Sequence, residues 1–190
     1  MRVLILLSLL VGACTPIRSV WLRSDWEARQ ADQVKRIQVL VSPLPSGRED
    51  LGELWATLTK EYINEHLDFL VYSAHWAAEP KLQEACTAPL EGLLLLKPQT
   101  EAHNTSIWVG VQAELYSCKE QHPLWKVSAQ LKAKRQDPLF EATAAAYGER
   151  IGEPVRDYVA ASFRLLQQVA DRLPKPRLTE ADIDEKIDLD

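Results

Sequence analysis

The chain has 190 residues, 46% of them hydrophobic and 26% charged, which is enough apolar material for one domain whose core does not depend on staples. It carries 22 basic and 27 acidic residues, a formal charge of -5, and that mild acidity argues against a nucleic-acid partner. Four scattered histidines (His66, His75, His103, His122) lack metal-ligand spacing, and neither a metal nor a cofactor is expected.

Met1 and Arg2 form a minimal basic start, and Val3 to Val11 is an apolar run followed by the small pair Gly12-Ala13, the arrangement of a secretory signal over residues 1–13. The run is too short to span a bilayer, which takes about 20 apolar residues. Cys14 follows directly. Val11-Gly12-Ala13-Cys14 resembles the bacterial lipobox, in which the cysteine is lipidated and becomes the first residue of the mature protein. One acyl chain binds a membrane marginally, whereas two or more anchor it stably. In such lipoproteins an aspartate after the cysteine retains the protein in the inner membrane; Thr15 stands here, which implies an outer-membrane address with the domain facing the periplasm or the surface. Without residues 1–13 the 22 basic residues become 21, because Arg2 is lost.

Residues 14–35 hold Trp21 and Trp26 among Arg18, Arg23 and Arg29 without a clear period, and are expected to be a lipidated tether. Its arginines and tryptophans can touch lipid headgroups, or the tryptophans can pack on the domain edge. The domain proper is expected over 36–174. Residues 36–45 alternate Ile37, Val39 and Val41 with Gln38, Leu40 and Ser42 and stop at prolines, a first strand. Ser46 and Glu49 have the spacing of a capping box, and Leu51, Leu54, Trp55, Leu58 and Tyr62 predict a helix over about 47–66.

Residues 68–76 are strand-like, although periodicity does not separate them from a continuing helix. Residues 79–89 suit a short helical turn or a loop. Gly92 to Pro98 is a compact apolar strand, and residues 106–118 alternate throughout, with Ile107, Val109, Val111, Ala113 and Leu115 on one face. Trp125, Val127, Ala129, Leu131 and Ala133 continue that parity over 125–134, so a hairpin turning at 119–123 puts odd residues opposite odd ones. Residues 139–148 are read as a further strand, though three consecutive alanines also suit a helix. Glu153-Pro154 opens the last helix, whose stripe runs from Val155 to Leu173. The acidic tail, 175–190, is expected to be disordered.

With Cys14 lipidated, Cys86 and Cys118 remain as an even pair in an oxidising compartment. A hairpin centred near residue 102 pairs Leu93 with Val111 and Leu95 with Val109, and the same register sets Cys86 opposite Cys118. A disulfide is therefore expected. The element order predicts an α+β fold: a single, mostly antiparallel sheet of about five strands including a β-meander, with two main helices packed on one face.

The segments "VLVSPLP", "EGLLLLKP", "WVGVQAELY" and "PLWKVSAQ" resemble a group of bacterial envelope lipoproteins. The group includes LpoB-like activators of cell-wall synthases, the curli secretion lipoprotein and the TolB N-terminal region. The layout from Cys14 to "LPKP" is similar to uncharacterised lipoproteins of myxobacterial and leptospiral type. The resemblance implies action by binding, assembly or activation, and it carries over no catalytic residue. Expected partners are the membrane, through the anchor, and another envelope protein. The alternatives are an auxiliary subunit of an envelope transport or assembly machine, or a lipid or glycan binder whose cavity is lined by Trp55, Trp76, Trp108 and Trp125. A hydrolase is disfavoured: Glu61 with Glu65 suits a solvated helix face, and Ser73 with His75 suits alternate strand positions.

Overall fold

The central strand explains the architecture. In β2, Arg36–Val41, every residue after Arg36 is buried, because the strand is covered on both faces and paired on both edges. Its chain neighbour β3, Leu70–Trp76, returns through the 18-residue helix α1, Glu49–His66, and a crossover of that kind makes the pair parallel. The chain then crosses back past β2 through a short helix α2, Leu82–Ala85, so β4, Gly92–Ala102, is also parallel to β2. The rest is the expected antiparallel meander: β5, Ser106–Ser117, and β6, Pro123–Lys134. The computed structural model describes residues 16–135 and 137–189.

A first strand, β1 at Ile17–Leu22, completes a six-stranded mixed sheet in the order β1-β6-β5-β4-β2-β3. The sheet is thus larger than expected and less antiparallel. The stretch expected to be a tether supplies its outer strand, antiparallel to β6. A turn of π-helix at Trp26–Gln30 follows, with Trp26 and Gln30 buried.

Helix α1 buries Leu51, Leu54, Trp55, Leu58 and Tyr62 as its spacing predicts. Its expected capping box does not form. The helix starts at Glu49, which puts Arg48 at the cap, and Asp50 in the first turn takes the Arg48 Nε at 2.7 Å. Residues 139–148 are helical, not a strand: α3 spans Glu141–Ile151 after a 3-10 turn at Pro138–Phe140. The alanine run decides this, since alanine has the strongest helix propensity. Helix α4, Arg156–Ala170, follows a second 3-10 turn containing Pro154. Helices α1 and α4 pack against the same sheet face, and the main core lies between.

The β4–β5 hairpin is longer than expected and slipped in register. Leu93 faces Tyr116, and Leu94 faces Leu115. The strand continues through Pro98 because β2 ends beside Leu96, whose carbonyl accepts from Ser42 N at 2.8 Å. Two residues on, the nitrogen of Pro98 points to the same side, where no neighbouring strand asks for an N–H. The slip changes faces: Leu94 and Leu96 join the main core, while Leu93 and Leu95 turn to the other side with Leu40.

Finally, part of the tail is ordered. Residues Glu180–Ile187 form α5, opened by a capping box between Thr179 and Asp182.

Candidate functional site

Cys14 and Thr15 lie outside the described residues, as does the signal over 1–13. The chain is already part of the sheet at Pro16, whose carbonyl accepts from Gln130 N at 2.9 Å. Along β1, Val20 stands opposite Val127 and Leu22 opposite Trp125 on the helix-covered face, while Trp21 stands opposite Lys126 on the polar face. The partners Val127 and Trp125 are buried, yet Val20, Trp21 and Leu22 are 48%, 46% and 43% exposed. Helix α4 covers β5 and β6, and β1 lies one strand further out.

Charge pins the corner after β1. Arg23 Nε bonds Asp25 at 2.6 Å, and Arg23 also bonds Glu120 in the β5–β6 turn. The Arg23 guanidinium holds both carboxyls below their ordinary range. Arg29 lies 3.8 Å from Asp25 and 3.9 Å from Glu120. Arg23 and Arg29 are therefore neutralised locally.

Cys86 and Cys118 form a disulfide, with Cα atoms 5.2 Å apart. The expected pairing is present but the expected register is not. Cys118 N donates to Glu91 O, and Cys86 reaches it from the end of α2. The bridge fastens the 77–91 crossover over Leu40, Leu93 and Leu95, a second small core on the sheet's otherwise polar face. Farther along that face, Glu114 accepts from Lys97 at 3.0 Å and Tyr116 at 2.8 Å, with Lys126 at 2.9 Å. Burial pushes the Glu114 carboxyl up, but bonds from Lys126, Tyr116 and Lys97 outweigh it and bring it down to about 2.

At the opposite edge of the sheet, α5 is held by ions. Lys35 Nζ and an Arg36 amino group each lie 2.7 Å from Asp182, which is buried, and Arg36 and Tyr72 both donate to Glu185. Burial disfavours the Asp182 charge, yet Lys35 and Thr179 hold its carboxyl well below the usual range. The irregular lead-in is tied as well: Trp26 Nε1 donates to Lys175 O at 3.2 Å and Arg177 N to Ala31 O at 2.7 Å. Sequence reasoning passed over this cluster. The available signal was Thr179 three residues before Asp182, a helix start inside an acidic tail.

The remaining candidates are dispersed. Glu61 accepts from Tyr147 and Arg150, while Glu65 faces His66 at 3.7 Å. His75 faces Gln38 at 3.4 Å. The four tryptophans do not line one cavity. Trp55 and Trp125 are in the main core, Trp76 packs on Gly52 of α1, and Trp108 folds over Gly110 on the polar face, where an added Cβ would lie 2.8 Å from its ring. A cleft of about 780 Å³ between the end of β6 and helices α3 and α4 is lined by charges that pair with one another, such as Arg135 with Asp157 at 2.7 Å and Glu153 with Arg156 at 2.5 Å. Among the described residues no helix is long and apolar enough to cross a membrane.

No family model and no curated protein matches the chain. Solved structures do resemble it in layout. A hypothetical protein from Chlamydia trachomatis is 14% identical, with 73% of this chain and 94% of that one covered at a TM-score of 0.49. The PelC dodecamer from Paraburkholderia phytofirmans is 10% identical, covering 80% and 92%, at 0.45. A lipoprotein from Neisseria meningitidis is 14% identical, covering 62% and 97%, at 0.41. Bacterial lipoproteins are thus among the structures this chain is similar to, and no function is read from that similarity.

Proposed function

We propose that this chain is a non-enzymatic lipoprotein of the bacterial envelope, acylated at Cys14, held on the outer membrane and acting by contact with another envelope protein. The observation that carries the reading is the run Val11-Gly12-Ala13-Cys14 after a short apolar segment, a signal and an attachment point together. The Cys86–Cys118 disulfide supports it, because such bonds persist in oxidising compartments outside the cytosol. Thr15, in place of an aspartate, supports the outer-membrane address.

Mass spectrometry of the mature N-terminus, with membrane fractionation of wild type and Cys14→Ala, tests the anchor. The expected result is an acylated Cys14 as the first residue and loss of membrane association in the variant. An unmodified Cys14 in a membrane-free protein overturns the reading. Cross-linking in intact cells tests the partner: one stoichiometric envelope protein is expected, and a protein recovered alone removes the binding role.

A further inference from the structure

Six large apolar side chains are prominently exposed among the described residues, and three of them are consecutive in β1: Val20, Trp21 and Leu22. Consecutive strand residues point to opposite faces, so these three wrap the rim of the sheet instead of forming a stripe on one side. β1 is the outer strand of the sheet, with β6 on its inner side. An open apolar edge of this kind is an aggregation hazard unless something covers it.

The reach of the chain says what lies there. Ile17, the first residue of β1, is the third residue after Cys14, and three extended residues span at most about 10 Å. The headgroup layer of a bilayer is itself about 5 to 8 Å thick on each side. If Cys14 carries lipid, the start of β1 cannot leave the vicinity of that layer. We propose that the β1 edge is seated in the headgroup layer of the membrane to which Cys14 is anchored, with Trp21 as its principal contact and Val20 and Leu22 beside it. This inference rests on the proposed acylation of Cys14.

The chemistry of the edge fits that depth. Tryptophan prefers the membrane interface, where an apolar ring meets a polar surround. The outward backbone groups of an edge strand keep it out of hydrocarbon, where they would go unsatisfied, but headgroups and their water can bond them. Arg23 and Arg29 are engaged by Asp25 and Glu120, whereas the exposed Arg18 of β1 lies beside the neutral Gln130 amide, so the edge joins apolar side chains to one cation. A second copy or another protein adding a strand along the whole of this edge would compete with the bilayer for space at its Ile17 end, which lies within about 10 Å of the anchor.

The test uses the full mature lipoprotein in vesicles of phosphatidylcholine carrying brominated acyl chains, with tryptophan fluorescence as the readout. Trp26, Trp55 and Trp125 are buried in the protein, so bromine quenching reports chiefly on the exposed rings. Quenching is expected in the wild type, to fall at least twofold in Trp21→Ala, and to persist in Trp108→Phe. Equal quenching in wild type and Trp21→Ala overturns the inference. So does a Trp21 shielded from aqueous acrylamide but unquenched by bromine, which would mean that protein covers the edge. The intact mass of the same sample separates the two readings: acylated Cys14 with an unquenched Trp21 overturns only the seating of β1, whereas unacylated Cys14 overturns both.

Discussion

The two ends of the described chain are held at opposite edges of one sheet by different forces. β1 is held chiefly by a backbone ladder to β6, with Ile17 packed on the main core and Arg23 pinning the corner that follows, and this leaves Val20, Trp21 and Leu22 in the open. Helix α5 has no ladder to join. Its side chains do the holding, through Asp182 and Glu185 on Lys35, Arg36 and Tyr72. An end fixed through its backbone can display apolar residues; an end fixed through its charges has to bury a carboxylate among cations. The first arrangement is tolerant of side-chain replacement and the second is not.

The largest effect should come from breaking the second arrangement. Asp182→Ala leaves Lys35 and Arg36 facing each other without their shared carboxylate, and removing one partner of a buried pair typically costs about 3 to 5 kcal/mol. Denaturant unfolding should show that loss, and hydrogen exchange should show residues 180–187 released. A cost under about 1 kcal/mol would mean that the ions do not hold α5.

Replacing Cys86 and Cys118 together by alanine should cost about 3 to 4 kcal/mol in the chain-entropy model. The bridge lies outside both β1 and α5 and is linked to α5 only indirectly, through Glu91 beside Cys118 and its pair with Arg36, so exchange at α5 and at β1 should stay close to the wild type relative to global unfolding. Selective loss of protection in α5 would show that the crossover and the C-terminal helix are one unit.

Acid sharpens the contrast more gently. Asp182 and Glu114 are both held below their ordinary values, so the stability they add is complete above their unfolded pKa near 4 and is lost as pH falls toward the folded values. Glu114 should titrate near 2 by NMR, and α5 should stay docked through pH 4 and loosen below it. An α5 that releases above pH 5 would contradict the sign of the Asp182 shift.

The smallest effect is expected at β1. Trp21→Ala should change the stability of the detergent-solubilised protein by less than about 0.5 kcal/mol, as for surface positions away from packing. A change several times larger would show that Trp21 supports the fold, and that β1 depends on its side chains after all.

Much of the middle of the chain was legible because its signals are local. The parity of Ile107 to Leu115 and of Trp125 to Ala133 set the meander and its buried face, and the three-and-four spacing from Leu51 to Tyr62 set α1. What failed depended on distant neighbours. Pro98 reads as a stop until β2 is seen to end beside Leu96, and the hairpin register slips with it. The disulfide was expected from a register that does not occur; the cysteines meet because the crossover brings Cys86 over the sheet. Both ends lacked periodicity. β1 has its partner more than a hundred residues away, and Asp182 finds Lys35 and Arg36 at a similar separation. Cys14, on which the proposed function depends, lies outside the described residues and is read from its local sequence alone.

The sheet is also a ruler. Its outer strands are five strand spacings apart, about 24 Å. A protein standing on its β1 edge would carry Ile187 near the top of that height, whereas one lying on a sheet face would bring the same residue close to the lipid. Energy transfer from a dye at position 187 to a dye in the headgroups would therefore report the molecule's posture on the membrane, independently of what it binds.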